Sequence, residues 1–267
     1  MLTAVITGAS SGIGRSVAME MAKSGKYGCI ALNSGHNEKN LIETAEGLRE
    51  ICRKYGADTD KGPGIDSTAA ENNTAETQIL TVFGDISENI TARALIKKTI
   101  SVTGRIDVLV NSAAISHVGL LMDMTPDEWQ KTVAVNLNSV YNTCHEVLPF
   151  MVREKAGRIV NISSVWGLVG ASCEVAYSAT KGGVNAFTRA LAKEMAPSGI
   201  SVNAIAFGAV DTRMNDNLSE EEKNELADSI SIGRFATPEE AAETVMKLLE
   251  MPEYLTGEVI KCDGGWI

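Results

Sequence analysis

The sequence predicts an α/β fold, with a doubly wound parallel sheet of about seven strands in one domain spanning residues 1–267. Three observations predict it. Apolar runs of strand length alternate with longer amphipathic stretches, as in βαβ units that build a parallel sheet. Most of the runs are apolar at nearly every position, as strands covered on both faces must be. The 267 residues are enough to bury the core of such a sheet, and right-handed crossovers then set helices on both of its faces.

The elements follow in order. Residues 2–6 form the first apolar run, and 12–24 a helical stretch opened by glycines. A second strand is predicted at 28–33 and a second helix at 38–55. Residues 56–78 break the alternation: they are polar, small and poor in bulky apolar groups, and read as a solvated surface excursion. Strand 79–83, helix 90–103 and strand 106–110 restore it. Helix 126–153 opens on Thr125-Pro126-Asp127-Glu128, a Thr cap, a proline at the first helical position and acids in the first turn. Strand 157–163 leads to helix 175–196, which Pro197-Ser198-Gly199 stops. Strand 200–206 precedes helix 238–250, opened by Thr237-Pro238-Glu239-Glu240, and strand 257–261 ends the pattern.

Composition excludes several functions. The net charge of −10 argues against nucleic acid and anionic membranes as partners. It also means that a phosphate-bearing ligand needs local devices to hold it. Cys29, Cys52, Cys144, Cys173 and Cys262 are scattered and odd in number, which fits reduced thiols in the cytoplasm and no disulfide framework. His36, His117 and His145 lack ligand spacing, so no metal site is expected. No apolar run reaches the roughly 18–20 residues of a membrane span. The start Leu2-Thr3-Ala4-Val5-Ile6 has none of the features of a signal peptide.

The loop Gly8-x-x-x-Gly12-x-Gly14 follows a strand and opens a helix. Gly8 permits a tight turn, Gly12 lets the backbone approach a pyrophosphate, and Gly14 lets helix and strand pack closely. The helix start then offers N–H groups to phosphates. This is the nucleotide end of a Rossmann fold. Asp85 and Ile86 follow the third strand, and Asn111-Ser112-Ala113-Ala114 the fourth. Both groups fall where open α/β sheets bind ligands. Asp85 and Ile86 are placed to meet adenine; Asn111, Ala113 and Ala114 let the chain lie flat against ribose and phosphates.

These residues resemble the short-chain dehydrogenase/reductase family over essentially the whole chain. The likeness rests on T-G-A-S-S-G-I-G at 7–14, D-I at 85–86, N-S-A-A at 111–114 and Asn136 in V-N-L. It continues with S-S at 163–164, Y-S-A-T-K at 177–181, N-A-I-A-F-G-A-V-D-T at 203–212 and D-G-G-W at 263–266. The branch most resembled is the 3-oxoacyl-acyl-carrier-protein reductases. A narrower likeness, over Ser163–Gly167 and Gly170–Val175, is to reductases of the 5-aminopentanone modification on elongation factor P. The family pattern departs at Ser112 and Ala114, where Asn and Gly are usual, and at Phe207 in place of the usual proline, a change that bears on the rigidity of the loop beside the nicotinamide.

The resemblance implies a catalytic set of Asn136, Ser164, Tyr177 and Lys181, with Asn136 helping to hold a water that links Lys181 to solvent. It implies cofactor contacts from Gly8, Ser10, Ser11, Gly12, Ile13, Gly14, Asn33, Ser34, Asp85, Ile86, Asn111, Ala113, Ala114, Tyr177, Lys181, Gly208, Val210 and Thr212. Tyr177 and Lys181 are at i and i+4, on one face of a helix. A free Tyr has a pKa of about 10, and a Lys ammonium nearby is expected to lower it. Ser164 and Tyr177 would hold the substrate oxygen, with Trp166 and Cys173 as the substrate wall. His117, just after Asn111–Ala114, is a further residue able to line the site or to serve structure.

The second strand ends Asn33-Ser34 with no acid to repel a 2′-phosphate, so NADP(H) is expected, with NAD(H) not excluded. Ser11 and Ser34 stand where relatives often carry the Arg or Lys that clamps that phosphate, which Asn33, Ser34, His36 and Asn37 could bind by neutral hydrogen bonds. The expected activity is reduction of a small-molecule or carrier-bound ketone, foremost a 3-oxoacyl thioester. Reduction of the elongation factor P modification is the alternative; an oxidative alcohol or hydroxysteroid dehydrogenase is another. A non-catalytic dinucleotide scaffold would be expected to have lost one of the four catalytic residues. Relatives are commonly homotetramers. An acidic carrier calls for a basic docking patch, for which Arg105, Arg153, Lys155 and Arg158 are candidates.

Overall fold

The computed structural model describes residues 1–56, 77–216 and 218–267. Most of the excursion expected at 56–78 lies outside the described residues. The elements run β1 (Leu2–Ile6), α1 (Gly12–Lys23), β2 (Tyr27–Ser34), α2 (Glu38–Gly56), β3 (Gln78–Phe83), α3 (Asn89–Thr103) and β4 (Val108–Asn111). Then come α4 (Pro126–Val133), α5 (Ser139–Glu154), β5 (Gly157–Ser164), α6 (Trp166–Val169), α7 (Val175–Met195) and β6 (Ile200–Phe207). The chain closes with α8 (Glu220–Ser229), α9 (Pro238–Glu250) and β7 (Val259–Cys262).

The seven strands form one sheet in the order β3-β2-β1-β4-β5-β6-β7. Every pairing is parallel. The chain winds outward from β1 to β3, then returns to β1's other side and winds outward again to β7. The reversal between β1 and β4 opens a crevice at the carboxyl ends of the strands, where such sheets bind ligands.

The period-2 alternation of each strand divides the core into two layers. Ala4, Ile6, Ile30 and Leu32 pack with Val17 and Met21 of α1, Leu48 of α2 and Val245 of α9. Val5, Ala31 and Leu109 turn to the other face, against Leu95 of α3, Val147 and Met151 of α5 and Val184 of α7. Each such Leu, Ile or Met, fully buried, contributes roughly 1.5–3 kcal/mol. That burial locks the register that aims the strand ends at the crevice.

Thr125 and Thr237 form capping boxes with Glu128 and Glu240, so α4 and α9 start where their sequence signatures predict. The expected helix 126–153 runs without a gap but widens once along its length. A π-turn at Ala134–Asn138 separates α4 from α5; such a widened turn re-aims side chains and recurs at functional sites. Helix α8 lies in a stretch for which no element was expected. Its Ser219–Glu222 capping box is the signal present in the sequence; none of its residues is buried, so the apolar stripe that marks a packed helix is missing. Phe207 leaves the loop after it well anchored. It is buried and pairs with both Ser164 of β5 and Cys262 of β7, and its carbonyl accepts from Val165 N at 2.9 Å.

Candidate active site

The glycine loop joins β1 to α1. Gly8 has φ +66°, and a Cβ there would lie 2.9 Å from the Ala113 backbone. A Cβ on Gly14 would lie 2.6 Å from the Gly8 carbonyl oxygen, so helix and strand are in contact through bare backbone. The Thr7 hydroxyl accepts from Ser112 N and Ala113 N at 3.1 and 3.2 Å and binds the loop after β4 to the glycine loop. The Ser34 hydroxyl donates to that of Ser10 at 2.8 Å and binds β2 to it as well. Ser11, the N-cap of α1, makes no side-chain cap hydrogen bond. The first-turn N–H groups of this helix, which have no intrahelical partner, are therefore left for a ligand.

A cleft of about 1050 Å³ extends over the carboxyl ends of β1 to β6. Gly8, Ser10, Ser11, Gly12, Ile13, Ser34, Asp85, Ile86, Ala113, Ala114, Gly208, Val210 and Thr212 line it, as do Ser164, Trp166, Tyr177 and Lys181. Asp85 Oδ1 accepts from Ser87 N at 2.9 Å, which closes the turn after β3. The residues fit a nicotinamide dinucleotide. The cleft holds one by volume, helix N–H groups stand at the phosphate position, and a Cβ on Gly12 would meet the Thr212 methyl at 3.2 Å.

Five expected site residues stand elsewhere. Gly14 works from behind, through the close packing just described. Asn33 is fully buried; its Nδ2 donates to the Val82 and Gly84 carbonyls, both at 3.0 Å, and its Oδ1 has no partner among the described residues. Asn111 turns into the core, where its amide meets Asn161 Oδ1 at 2.9 Å and accepts from Thr143 at 2.7 Å. Asn136, in the π-turn, accepts from Ile115 N and donates to Ile115 O, both at 2.8 Å, and donates to Thr180 Oγ1 at 3.2 Å. Its amide is occupied in fixing the loop after β4, not exposed to the cleft. Cys173 is absent from the cleft wall; its φ of +61° and the bond from Gly119 N to its carbonyl at 2.8 Å give it a place in a turn.

Ser164 ends β5, and Tyr177 and Lys181 lie one turn apart on α7. The three meet in the buried part of the cleft. The Ser164 hydroxyl stands near enough to that of Tyr177 to act on its pKa and accepts from Trp166 N at 3.2 Å. Lys181 Nζ donates to the Ile162 carbonyl at 2.8 Å and lies 5.5 Å from the centre of the Tyr177 ring. The electrostatics differ from the expectation that Lys181 lowers the Tyr177 pKa. Burial, and then the Glu174 charge, push the Tyr177 hydroxyl up, with the Ser164 hydroxyl opposing. Burial brings Lys181 down to about 8. The physical reason is desolvation, which outweighs a Lys whose ammonium is turned to a backbone carbonyl.

Glu174, Trp266 and Arg213 also stand on the cleft wall and were not predicted from the sequence as site residues. Glu174 precedes α7, and burial raises its pKa. Trp266 reaches back from the C-terminus, its ring 4.6 Å from that of Trp166. His117 turns from the cleft, 3.9 Å from Glu128. The basic residues expected to greet an acidic carrier are also elsewhere. Arg105 precedes β4 and Arg158 is the second residue of β5, paired with Val108, at the amino ends of strands, opposite the cleft. Arg105 pairs with Asp107 and Arg153 with Glu154. Among the described residues, no cluster of His, Cys, Asp or Glu is placed to hold a metal ion, and no helix is long and apolar enough to cross a membrane.

A dinucleotide-sized cleft at the switch point of a parallel sheet, ending at a Ser, Tyr and Lys, defines an oxidoreductase of the dinucleotide-dependent class. Residues 57–267 match the family model described as enoyl-(acyl carrier protein) reductase. The chain is 39% identical to an uncharacterized oxidoreductase of Bacillus subtilis, YmfI, over 99% of this chain and 98% of that protein. It is 37% identical to the 3-oxoacyl-acyl-carrier-protein reductase FabG of Staphylococcus aureus, over 98% of this chain and 97% of the relative. The FabG of Aquifex aeolicus is likewise 37% identical, over 98% and 95%. The chain belongs to the short-chain dehydrogenase/reductase family.

Proposed function

We propose that this protein reduces a ketone to a secondary alcohol with NADPH, and that the ketone is a 3-oxoacyl thioester held on a carrier. The observation that carries the reaction is the meeting of the Ser164 and Tyr177 hydroxyls beside buried Lys181 at one end of the cleft. When bound, the nicotinamide supplies the hydride. Ser164 Oγ and Tyr177 Oη both hydrogen-bond the carbonyl oxygen. Tyr177 Oη gives its proton to that oxygen as the carbonyl carbon takes the hydride. Burial and Glu174 keep Tyr177 protonated, which suits reduction. Lys181, anchored by the Ile162 carbonyl at 2.8 Å, would hold the ribose hydroxyls. Asn136 is a positioning residue, holding the loop at Ile115.

The choice of NADPH rests on the end of β2, where Asn33 and Ser34 offer no carboxylate to repel a 2′-phosphate. The choice of a carrier-bound thioester rests on the relatives named as 3-oxoacyl-acyl-carrier-protein reductases. A single 1–267 domain, assembly into a homotetramer and a cytoplasmic location complete the reading; sedimentation tests the assembly.

One observation favours a second substrate. Glu174 lines the same cleft as Trp166 and Trp266, and its charge reaches the Tyr177 hydroxyl. A half-buried carboxylate in a cleft that also holds two indoles suits an ammonium group, as on the 5-aminopentanone of a modified elongation factor P. The test compares loss of NADPH absorbance with acetoacetyl thioester, with an aminoketone-bearing protein and with simple ketones. The first reading expects fastest turnover of the thioester. Preference for the aminoketone, abolished in Glu174→Gln, selects the second. Tight NADPH binding with no turnover of any ketone contradicts both and leaves a binding scaffold.

A further inference from the structure

The cleft lacks a cation at the two positions, Ser11 and Ser34, where a phosphate clamp is expected, yet it contains a guanidinium from a distant part of the chain. Arg213 follows Thr212 in the loop after β6 and lines the cleft. The loop is brought there by contact: the Thr212 methyl lies against Gly12, the neighbour of Ser11. With the Asn40 amide oriented to satisfy its hydrogen bonds, both terminal nitrogens of Arg213 donate to Asn40 Oδ1, at 2.7 and 2.6 Å. Asn40 is in the first turn of α2, just after the residues that follow β2.

That contact is chemically incomplete. A guanidinium presents a fork of donors matched to an anion with two oxygens; here a single neutral amide oxygen receives both. Among the described residues no carboxylate pairs with Arg213. Three carboxylates, Asp85, Glu174 and Asp216, line the same cleft, and the chain as a whole carries −10. A dianionic group entering here needs a local positive partner, and Arg213 is the cation that stands at the β2 end of the cleft.

We propose that Arg213 clamps the 2′-phosphate of NADP(H), and so sets the preference for NADP(H) over NAD(H) from the loop after β6. The inference rests on the NADPH reading above, and deepens it by naming the residue responsible. Asn40 holds the fork in place, and the Ser11 hydroxyl, which makes no cap hydrogen bond in α1, donates to the phosphate from the side of β1.

The test is calorimetric binding of 2′,5′-ADP and 5′-AMP, which differ in that phosphate alone, to the full chain and to Arg213→Gln and Arg213→Lys. The wild type is expected to bind 2′,5′-ADP at least about tenfold more tightly than 5′-AMP, the scale of a charged hydrogen bond. Arg213→Gln removes most of that ratio and leaves 5′-AMP binding unchanged, which also reports an intact fold. Arg213→Lys keeps part of it. If the wild type has the preference and Arg213→Gln retains it, the clamp is elsewhere while the NADPH reading stands. If the wild type itself shows no preference, the NADPH reading fails and the clamp with it.

Discussion

At the residue scale the site works through burial. Lys181 is brought to about 8 from its ordinary 10.5 by desolvation. Between those values the unfolded chain holds the extra proton, so stability rises with pH from about 8 to about 10.5, and the penalty is full below that window. The span is worth about 3 kcal/mol. Lys181→Met removes the rise, so wild-type stability minus variant stability, from urea unfolding at each pH, increases through the window. Taking the difference cancels Cys29 and Cys144, whose burial-raised thiols act in the opposite direction above pH 9. Glu174 raises the Tyr177 pKa. Glu174→Gln therefore moves the alkaline limb of the reductase pH profile to lower pH, and a limb that stays in place contradicts the coupling. Ser164, Tyr177 and Lys181 were legible in the sequence because they fall in short motifs with fixed spacing. The roles of Glu174 and Trp266 were not, because the stretches that hold them do not say which side chains turn to the cleft, and Arg213 reaches it by packing that no local pattern encodes.

At the element scale, backbone contact decides which changes are tolerated. A Cβ on Gly14 would press on the Gly8 carbonyl at 2.6 Å. Gly14→Ala must part α1 from β1, and a loss of about 1–3 kcal/mol in denaturant unfolding is expected, together with weaker dinucleotide binding. Gly47, inside α2, has nothing within 4 Å of its Cβ position. Gly47→Ala is expected to stabilise by about 0.4–1 kcal/mol in the same measurement. Helices with an apolar stripe and a capping box, such as α9, were readable to the residue. The helix at 126–153 was not, because the π-turn that divides it keeps the same hydrophobic pattern. Only the bonds from Asn136 to Ile115 reveal what the turn is for. Helix α8 went unread because it buries nothing.

At the scale of the whole molecule the sheet order explains why residues from 8 to 266 share one cleft. Each strand delivers its C-terminal loop to the same edge, and the reversal between β1 and β4 leaves room for a ligand between the two halves. The alternation of strands and helices was sufficient to read this architecture, since both-face burial makes each strand an uninterrupted apolar run. What lies at the opposite edge, including Arg105 and Arg158, was not separable from the cleft by sequence, because charge alone carries no direction. The central claim is that Tyr177 is the proton donor of an NADPH-dependent ketone reduction. The direct measurement is NADPH oxidation with an acetoacetyl thioester by wild type and Tyr177→Phe, with NADPH affinity measured in parallel. The account predicts a rate lower by about 10²–10⁴-fold in the variant at unchanged affinity; equal rates in the two proteins would contradict it.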